Sequence, residues 1–407
     1  MFLIVFMLFT MLGTGMAHAL TLDQAVGTAL KSNSELQALR YEEEVGKAQL
    51  QKARILLPAN PIVGGTLSKK EKPSEVGAGK YTNYGVTLSQ EFEVAGQRGI
   101  RVDIAHKNIS RVVNQIRDRE RLLIYEVREG FAKALSLKAK EELTKKVVNI
   151  QEELMNFTHI KYRAGSVSGL EVNLAEIELG KARRDLVSAE REVREALLSL
   201  QGAMGLKPDP GFSVEGTLSP DTYQLPEKRL LMERAAAVRP DLKASSREVE
   251  MSDRIVDLVG REAIPNVTFG GFQVRDEERY DRGVLMSVSI PLFDRKQAEK
   301  KGAETRARQA RIRRSGLENR LDREIEDAYN NLVSSLNELT VFKKEIMGKS
   351  METLNLLNFA FKEGKISFFE VRGAQRDTLE MQFAYLDTVL RAQTWVYAME
   401  RAAGGDI

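Results

Sequence analysis

Apolar residues recur at helical spacing along two long stretches of the chain. The steps alternate between four and three residues in two series: Leu143, Val147, Ile150, Leu154 and Phe157, and then Ile325, Tyr329, Leu332, Leu336 and Leu339. Such a narrow stripe is typical of coiled-coil helices. All ten prolines lie outside residues 81–207 and 292–407. Because proline interrupts helices, we predict two very long helices, from Gln97 to Ala164 and from Asp294 to Glu363.

Four shorter segments show the pattern of β-strands. We predict these strands at Ile62 to Ser68, Thr82 to Phe92, Val267 to Arg275 and Gly283 to Leu292. The last alternates Val284, Met286, Val288 and Ile290 against Leu285, Ser287 and Ser289. One apolar face of this kind is typical of a barrel strand that faces lipid. A small soluble β-subdomain is the alternative interpretation.

The two halves of the chain repeat each other. Residues 162–172 match residues 361–371 at a constant offset of 199, with Gly, Ser, Glu and Val identical. Each half therefore predicts a helix, two strands, a long helix, a tight turn and a helix. The resulting organisation is a first repeat at 20–206, a linker or equatorial segment at 207–226, and a second repeat at 227–407.

The first 19 residues have the pattern of a secretory signal peptide. Residues 1–20 contain no Asp, Glu, Lys or Arg, and Ala17-His18-Ala19 is a small-x-small cleavage pattern. An uncleaved membrane anchor is the alternative, and in both cases the chain leaves the cytoplasm.

Dimensions favour an assembly of several chains. A helix of some 70 residues is roughly 100 Å long, which no globular domain needs. Four strands cannot close a membrane barrel alone, because the smallest closed barrels have about eight strands and an open edge is not tolerated in lipid. Several copies would therefore have to share one barrel.

Composition and charge exclude several classes of protein. The chain has 407 residues, of which 43% are hydrophobic and 29% charged, with a net charge of +3 and no cysteine. A disulfide scaffold, thiolate metal ligands, a cysteine nucleophile and a thiol-linked lipid anchor are thereby excluded. No nucleophile motif, phosphate loop or metal-ligand constellation appears, which predicts that the chain is not an enzyme and needs no cofactor.

One basic cluster lies in the second long helix, and its members are Arg306, Arg308, Arg311, Arg313 and Arg314. A nucleic-acid patch is one interpretation, but the near-neutral net charge and export from the cytoplasm favour a solvated helix face. We therefore predict no nucleic-acid partner.

The order of these features resembles a known family. The mature chain is similar to the TolC-like outer-membrane factors of tripartite efflux pumps and type I secretion. The resemblance rests on residues 20–25 with 33–36, on Arg239-Pro240-Asp241-Leu242, on the strand pairs and on the two Gly-x-x-Ser turns. Residues 90–98 look most like the heavy-metal cation branch.

The resemblance implies a mainly α fold with a small β part. Three chains would form a 12-stranded barrel, with four strands from each chain, in the outer membrane of a Gram-negative bacterium. A long coiled-coil tunnel would continue the barrel in the periplasm. The implied function is a passive duct for heavy-metal cations or small toxic compounds, with a multidrug or type I secretion duct as alternatives. A surface coiled-coil structural protein is an alternative of another class.

The implied partners are a homotrimer, a periplasmic adaptor (membrane fusion protein), an inner-membrane transporter of RND type and outer-membrane lipid. The resemblance places adaptor docking at the two turns, at Tyr162, Gly165, Val167, Ser168, Phe361, Gly364, Ile366 and Ser367. Glycine suits the positive φ that ends a helix, and serine caps the helix that follows. Structure alone therefore explains the two glycines and the two serines among these residues. Val167 and Ile366 are apolar at an expected solvent-facing tip, and packing within each turn is the alternative reason for them.

A gate is also implied by the family. Its members tie an acidic residue near the first turn to a basic residue near the second, and a pair of acids past the second turn rings the axis. Glu171 matches the first acid and Glu370 matches one ring acid, whereas Gly373 holds the second ring position. Ile366 holds the position of the basic partner, so the tie would have to use Lys362 or Lys365. Alternatively, Glu171 and Glu370 are simply acids favoured at helix starts.

Overall fold

The computed structural model describes residues 19–71, 79–277 and 279–405. The signal peptide predicted at residues 1–19 lies outside these residues, apart from Ala19. So does most of the connection predicted between the first two strands, since residues 72–78 are not among those described.

The chain is mainly helical with one small sheet. The helices are α1 (Leu22–Ser32), α2 (Ser34–Ala53), α3 (Gln97–Arg163), α4 (Gly169–Met204), α5 (Lys228–Val238), α6 (Pro240–Glu262), α7 (Gln297–Val341), α8 (Met347–Lys362) and α9 (Phe368–Ala403). The strands are β1 (Ile62–Glu71), β2 (Lys80–Phe92), β3 (Val267–Asp276) and β4 (Arg279–Val288). In each half two helices, where one was predicted, precede the two strands, and α3 ends one residue before its predicted end.

The second long helix was predicted as one element and is interrupted. A π-helical turn, Phe342–Ile346, separates α7 from α8. A π turn adds a residue to the local repeat and rotates the side chains that follow. Here Phe342 is buried and meets the ring of Tyr385 edge-on, with the ring centroids 6.1 Å apart. Lys343, the next residue, donates to the Asp221 carboxylate at 2.6 Å, so it binds the segment predicted as a linker.

β4 was predicted too far along the chain. It begins at Arg279 and ends at Val288, whereas residues 289–292 lie outside it. Val288 pairs with Val267, which is the first residue of β3, so the ladder has no partner residues beyond this pair. Pro291 also lacks the N–H that a longer ladder would use. At the other end, Arg279 pairs with Asp276, which brings charged residues into the strand.

The sheet is antiparallel in the order β1-β2-β3-β4. One face is largely apolar, because residues that pair across the strands point the same way. Its members are Val63, Leu67, Tyr84, Val86, Leu88, Phe269, Val284 and Met286. All eight are exposed in the single chain, and Val284 reaches 90% exposure. The opposite face carries mainly small and polar residues, such as Thr66, Thr87 and Ser287, so the two-faced strand pattern is confirmed.

The chain divides into two compact units. One comprises residues 38–118 and 238–320 and holds the sheet; the other comprises the remaining described residues and holds both tight turns. In the sheet unit, Leu50 and Ala53 of α2 pack on Ala105 of α3. In the other unit, Ile325, Leu332 and Leu339 are fully buried, as expected for core positions of the heptad series. Among the described residues, no helix combines the length and apolarity needed to span a membrane.

Candidate functional site

The two tight turns have nearly the same backbone geometry. Gly165 has a φ of 73° and Gly364 a φ of 72°, the left-handed conformation that glycine adopts without strain. In the first turn Ser166 N donates to Lys161 O at 2.9 Å, and in the second Lys365 N donates to Ala360 O at 2.9 Å. These are the bonds of a Schellman motif, which ends a helix by satisfying its last carbonyl groups. The repeat in sequence is therefore a repeat in structure.

Serine caps the helix that follows each turn. Ser168 Oγ accepts from Glu171 N at 3.4 Å, and Ser367 Oγ accepts from Glu370 N at 3.3 Å. Only in the second turn does the side chain of the acid reach back, with Ser367 N donating to Glu370 Oε2 at 2.7 Å. The bonds that Glu370 accepts from the backbone and hydroxyl of Ser367 lower the pKa of its carboxyl group. Glu370 is therefore a charged residue held in place by a capping box.

Lys161 joins the two turns. Its ammonium group donates to Phe361 O at 3.0 Å, and the same carbonyl accepts from Gly364 N at 3.0 Å. The ammonium also lies 4.5 Å from the centroid of the Phe361 ring and 5.2 Å from that of Phe157. A cation at this distance from a ring face is attracted by it. Lys161 of the first turn therefore binds the backbone and the side chain of the second.

The lysines expected to tie the gate have other neighbours within the chain. Lys362 lies 3.6 Å from Glu153 in an exposed ion pair, and Lys365 lies 5.8 Å from the ring of Phe359. Among the described residues neither pairs with Glu171, so a tie of that kind stays a prediction for contacts between chains. At Gly373 an added Cβ would meet open space, so the missing second acid leaves room for a side chain.

An ion pair does connect the helices that follow the two turns, α4 and α9. The sequence analysis did not predict it. The carboxylate of Glu178 in α4 forms ion pairs with Arg372 of α9 at 2.9 Å and with Lys181 at 3.0 Å. Glu178 is half-buried. Its position seven residues after Glu171 puts both acids on one stripe of α4, and this spacing was the signal that could have identified it.

Several residues expected on the docking surface are at least partly covered. Phe361 is only 2% exposed and belongs to a core cluster with Leu154 and Val371, so it does not lie on the surface as predicted. The cause is its edge-on contact with Phe157, at 5.7 Å between centroids, together with the Lys161 bridge. Ile366 is half-buried and packs on the same cluster, which is the packing within the turn that was the alternative reason for this residue.

The apolar residues that are exposed near the turns are not the ones predicted for docking, apart from Tyr162. At the first turn Ile160, Tyr162 and Leu170 are 54%, 50% and 62% exposed. At the second turn Phe359 and Phe369 are 59% and 49% exposed. Ile160 and Phe359, like Leu170 and Phe369, are separated by the repeat offset of 199. Each turn therefore carries an apolar pair at equivalent places, which the repeat could have revealed in the sequence.

Metal ligands are sparse around the turns. His159 Nε2 lies 3.1 Å from Glu176 Oε1 on the surface between α3 and α4. Within the described ranges, no group of three or more His, Cys, Asp or Glu side chains is arranged to hold a metal ion. The charged groups here serve as ion pairs and caps.

Comparison with known proteins agrees with this architecture. Residues 25–206 match the family model described as outer membrane efflux protein. The cobalt-zinc-cadmium resistance protein CzcC of Cupriavidus metallidurans is 21% identical over 391 residues, which is 95% of this chain and 91% of the relative.

Solved structures have the same fold. The channel protein CusC superposes with a TM-score of 0.78 at 16% identity, over 95% of this chain and 92% of CusC. The outer membrane protein VceC of Vibrio cholerae has a TM-score of 0.77 at 16% identity, over 94% of this chain and 96% of VceC. The predicted fold class and family resemblance are thus confirmed. The chain therefore has the fold of these outer-membrane proteins, and its residues 25–206 match the outer membrane efflux protein family.

Proposed function

We propose that three copies of this chain form the outer-membrane duct of a tripartite efflux system, and that the duct exports heavy-metal cations. The observation that carries the proposal is the four-stranded sheet, which is apolar on one face and ends in β1 and β4. In lipid an open strand edge leaves backbone N–H and C=O groups without partners. Pairing β4 of one copy with β1 of the next removes every edge, and three copies give 12 strands, a size that closes as a membrane barrel.

The two turns suit a contact with a periplasmic adaptor. The repeated exposed pairs, Ile160 with Leu170 and Phe359 with Phe369, give each turn an apolar surface bordered by charged residues. Exposed apolar groups with a polar rim are typical of protein interaction sites. An inner-membrane transporter of RND type would supply the driving force, because the duct itself has no motif for chemistry.

The capped carboxylate of Glu370 suits a cation filter. Three copies of a charged group around one axis would concentrate negative potential and attract cations. The similarity to CzcC, a cobalt-zinc-cadmium resistance protein, supports divalent metal ions as the cargo.

Deletion of the gene followed by complementation tests this proposal. A deletion strain should become sensitive to cobalt, zinc or cadmium and accumulate the metal, and the wild-type chain should restore both. Sensitivity to organic toxins alone would refute the metal cargo and favour a multidrug duct. Native mass measurement of the detergent-extracted protein should give three chains, whereas salt-extractable rods would favour a surface coiled-coil protein.

A further inference from the structure

One arginine interrupts the apolar face of the sheet. Arg282 of β4 pairs with Gln273 of β3. Side chains two residues apart on a strand point the same way, so Arg282 lies on the face of Val284 and Met286. It is exposed, and within the described residues it forms no ion pair. In the proposed barrel this face meets lipid, where a charge without a partner is unfavourable. The place of Arg282 therefore needs an explanation beyond the fold of the chain.

The depth of Arg282 in the membrane follows from the ladder. The pair Arg275–Tyr280 lies two residues nearer to the connection between β3 and β4, and Tyr84 pairs with Arg275. In membrane barrels, aromatic residues mark the border of the apolar band. At 3.3 Å per residue, Arg282 lies about 7 Å inside this level and about 20 Å from Val288 at the helical end of β4. Arginine extends along apolar surface towards polar surroundings, so its guanidinium group is within reach of the lipid headgroups.

Arg275 lies on the same face but is used by the fold itself. Its guanidinium carbon is 6.0 Å from the ring centroid of Tyr84 and 5.6 Å from that of Tyr280. Its Nε also donates to Glu277 O at 3.1 Å. Of the two arginines, Arg282 is therefore the one that is available to a ligand from outside the chain.

A groove of about 500 Å³ opens beside Arg282 on the apolar face. Gly271 lies between Leu88 and Val284 in the ladder and contributes no side chain there. The groove is deepest in apolar character at this glycine, which is two residues closer to the helical end than Gln273. Polar groups therefore lie towards the β3–β4 connection, and an apolar recess lies towards the middle of the band. A lipid has the same order of headgroup and acyl chain.

We propose that this groove binds one lipid of the outer leaflet, with its headgroup phosphate on Arg282 and an acyl chain in the recess at Gly271. We call Gly271, Gln273 and Arg282 the lipid site. The inference rests on the proposed barrel, in which the β3–β4 connection points away from the periplasmic helices. Arginine suits a phosphate because two of its N–H groups can donate to two phosphate oxygens in parallel. A free phosphate would gain nothing from the apolar recess, which favours a lipid as the source of the phosphate.

Native mass measurement with added lipid tests the site. Detergent-extracted trimers are titrated with lipid A, a phosphorylated glycolipid of the Gram-negative outer leaflet, and with dephosphorylated lipid A. The wild type should bind one lipid A per chain and bind the dephosphorylated form about tenfold more weakly, as expected for loss of a charged hydrogen bond. Arg282→Gln should abolish this preference. Excess inorganic phosphate should leave lipid A bound, and displacement by phosphate would overturn the lipid as the occupant.

Arg279→Gln is the matched control. Arg279 is an exposed arginine of the same strand, but it is three residues from Arg282 and so lies on the opposite face. It pairs with Asp281 at 3.3 Å. The variant should bind lipid A as the wild type does. Equal weakening in the two glutamine variants would show a general effect of net charge and would overturn the site.

Gly271→Val tests the recess without a change of charge. A Cβ atom at this position would lie 3.6 Å from Gly283 O, which is an ordinary contact, so the strand accommodates the side chain. Valine would fill the recess and should weaken binding of lipid A severalfold although Arg282 is retained. Unchanged binding would exclude an acyl chain at Gly271.

The oligomeric state separates this inference from the proposed duct. If wild-type trimers bind both forms of lipid A equally well, the lipid site is wrong and the duct stands. If Arg282→Gln loses its trimers, the arginine holds a neighbouring copy and the lipid site is again wrong. If the wild type gives single chains, the duct and the lipid site are both wrong.

Discussion

Lys161→Met should loosen the contact between the two turns. The substitution keeps the length of the side chain and removes its charge. It deletes the bond from the ammonium to Phe361 O, at 3.0 Å, and the contacts with the rings of Phe361 and Phe157. Phe361 would keep its packing against Leu154 and Phe157 of α3 but would lose the hydrogen bond from Lys161 to its carbonyl group.

The magnitude follows from these contacts. A hydrogen bond from a charged group contributes about 1.5 to 3 kcal/mol, and a cation over a ring about 0.5 to 1 kcal/mol at an exposed site. Lys161 is half-buried, and the desolvation of its ammonium offsets part of this gain, so we expect a net loss of about 2 kcal/mol. Since 1.4 kcal/mol is a factor of ten, local opening of the second turn should become about 30-fold more frequent.

Amide hydrogen exchange measures this opening. The N–H groups of Gly364 and Lys365 are bonded to Phe361 O and Ala360 O, so they exchange when the turn opens. Their exchange should be about 30-fold faster in Lys161→Met, and single-channel recordings should show a higher open probability. Lys161→Arg retains the charge and should restore much of the protection.

Lys362→Met is the matched control. Like Lys161→Met it removes one positive charge, here at the second turn. The ion pair of Lys362 with Glu153, however, is exposed and 3.6 Å long. Exposed pairs contribute about 0 to 1 kcal/mol, so exchange should change little. Equal acceleration in the two methionine variants would refute the bridge and point to a general effect of charge.

Three further predictions concern the same turns. Glu370→Gln should lower cation selectivity, measured as the reversal potential under a salt gradient. The trimer should be retained, because glutamine also completes a capping box. Because hydrogen bonds lower the pKa of Glu370, wild-type selectivity should fall only as the pH drops through that lowered pKa, and the variant should show no such dependence. Gly373→Asp should raise cation selectivity, because open space at Gly373 admits a second ring of carboxylates; an unchanged reversal potential would place residue 373 away from the axis. Leu170→Asp with Phe369→Asp should abolish adaptor binding in a pull-down while native mass still gives trimers, and retained binding would exclude these exposed pairs as the docking surface.

The fold was largely predictable from the sequence, because its signals are local. Proline-free tracts with heptad steps located α3, and alternation located the strands. The interruption at Phe342–Ile346 was not visible, since nothing in its sequence distinguishes a π turn from a continuous helix. It coincides with the contact of Phe342 with Tyr385, which is distant in sequence. The end of β4 likewise depends on where β3 begins, and pairing of that kind is a tertiary property.

The site was predictable only as far as the repeat is symmetric. Glycines, capping serines and acids recur at the offset of 199, and the structure gives both turns the same backbone. The differences between the repeats decide the chemistry: position 161 is lysine, but its counterpart at 360 is alanine. Lys161 contacts Phe361, which is 2% exposed, whereas the equivalent Tyr162 is 50% exposed. Among the described residues the bond between the turns therefore runs in one direction, from Lys161 of the first turn to Phe361 of the second, because position 360 has no side chain that could return it.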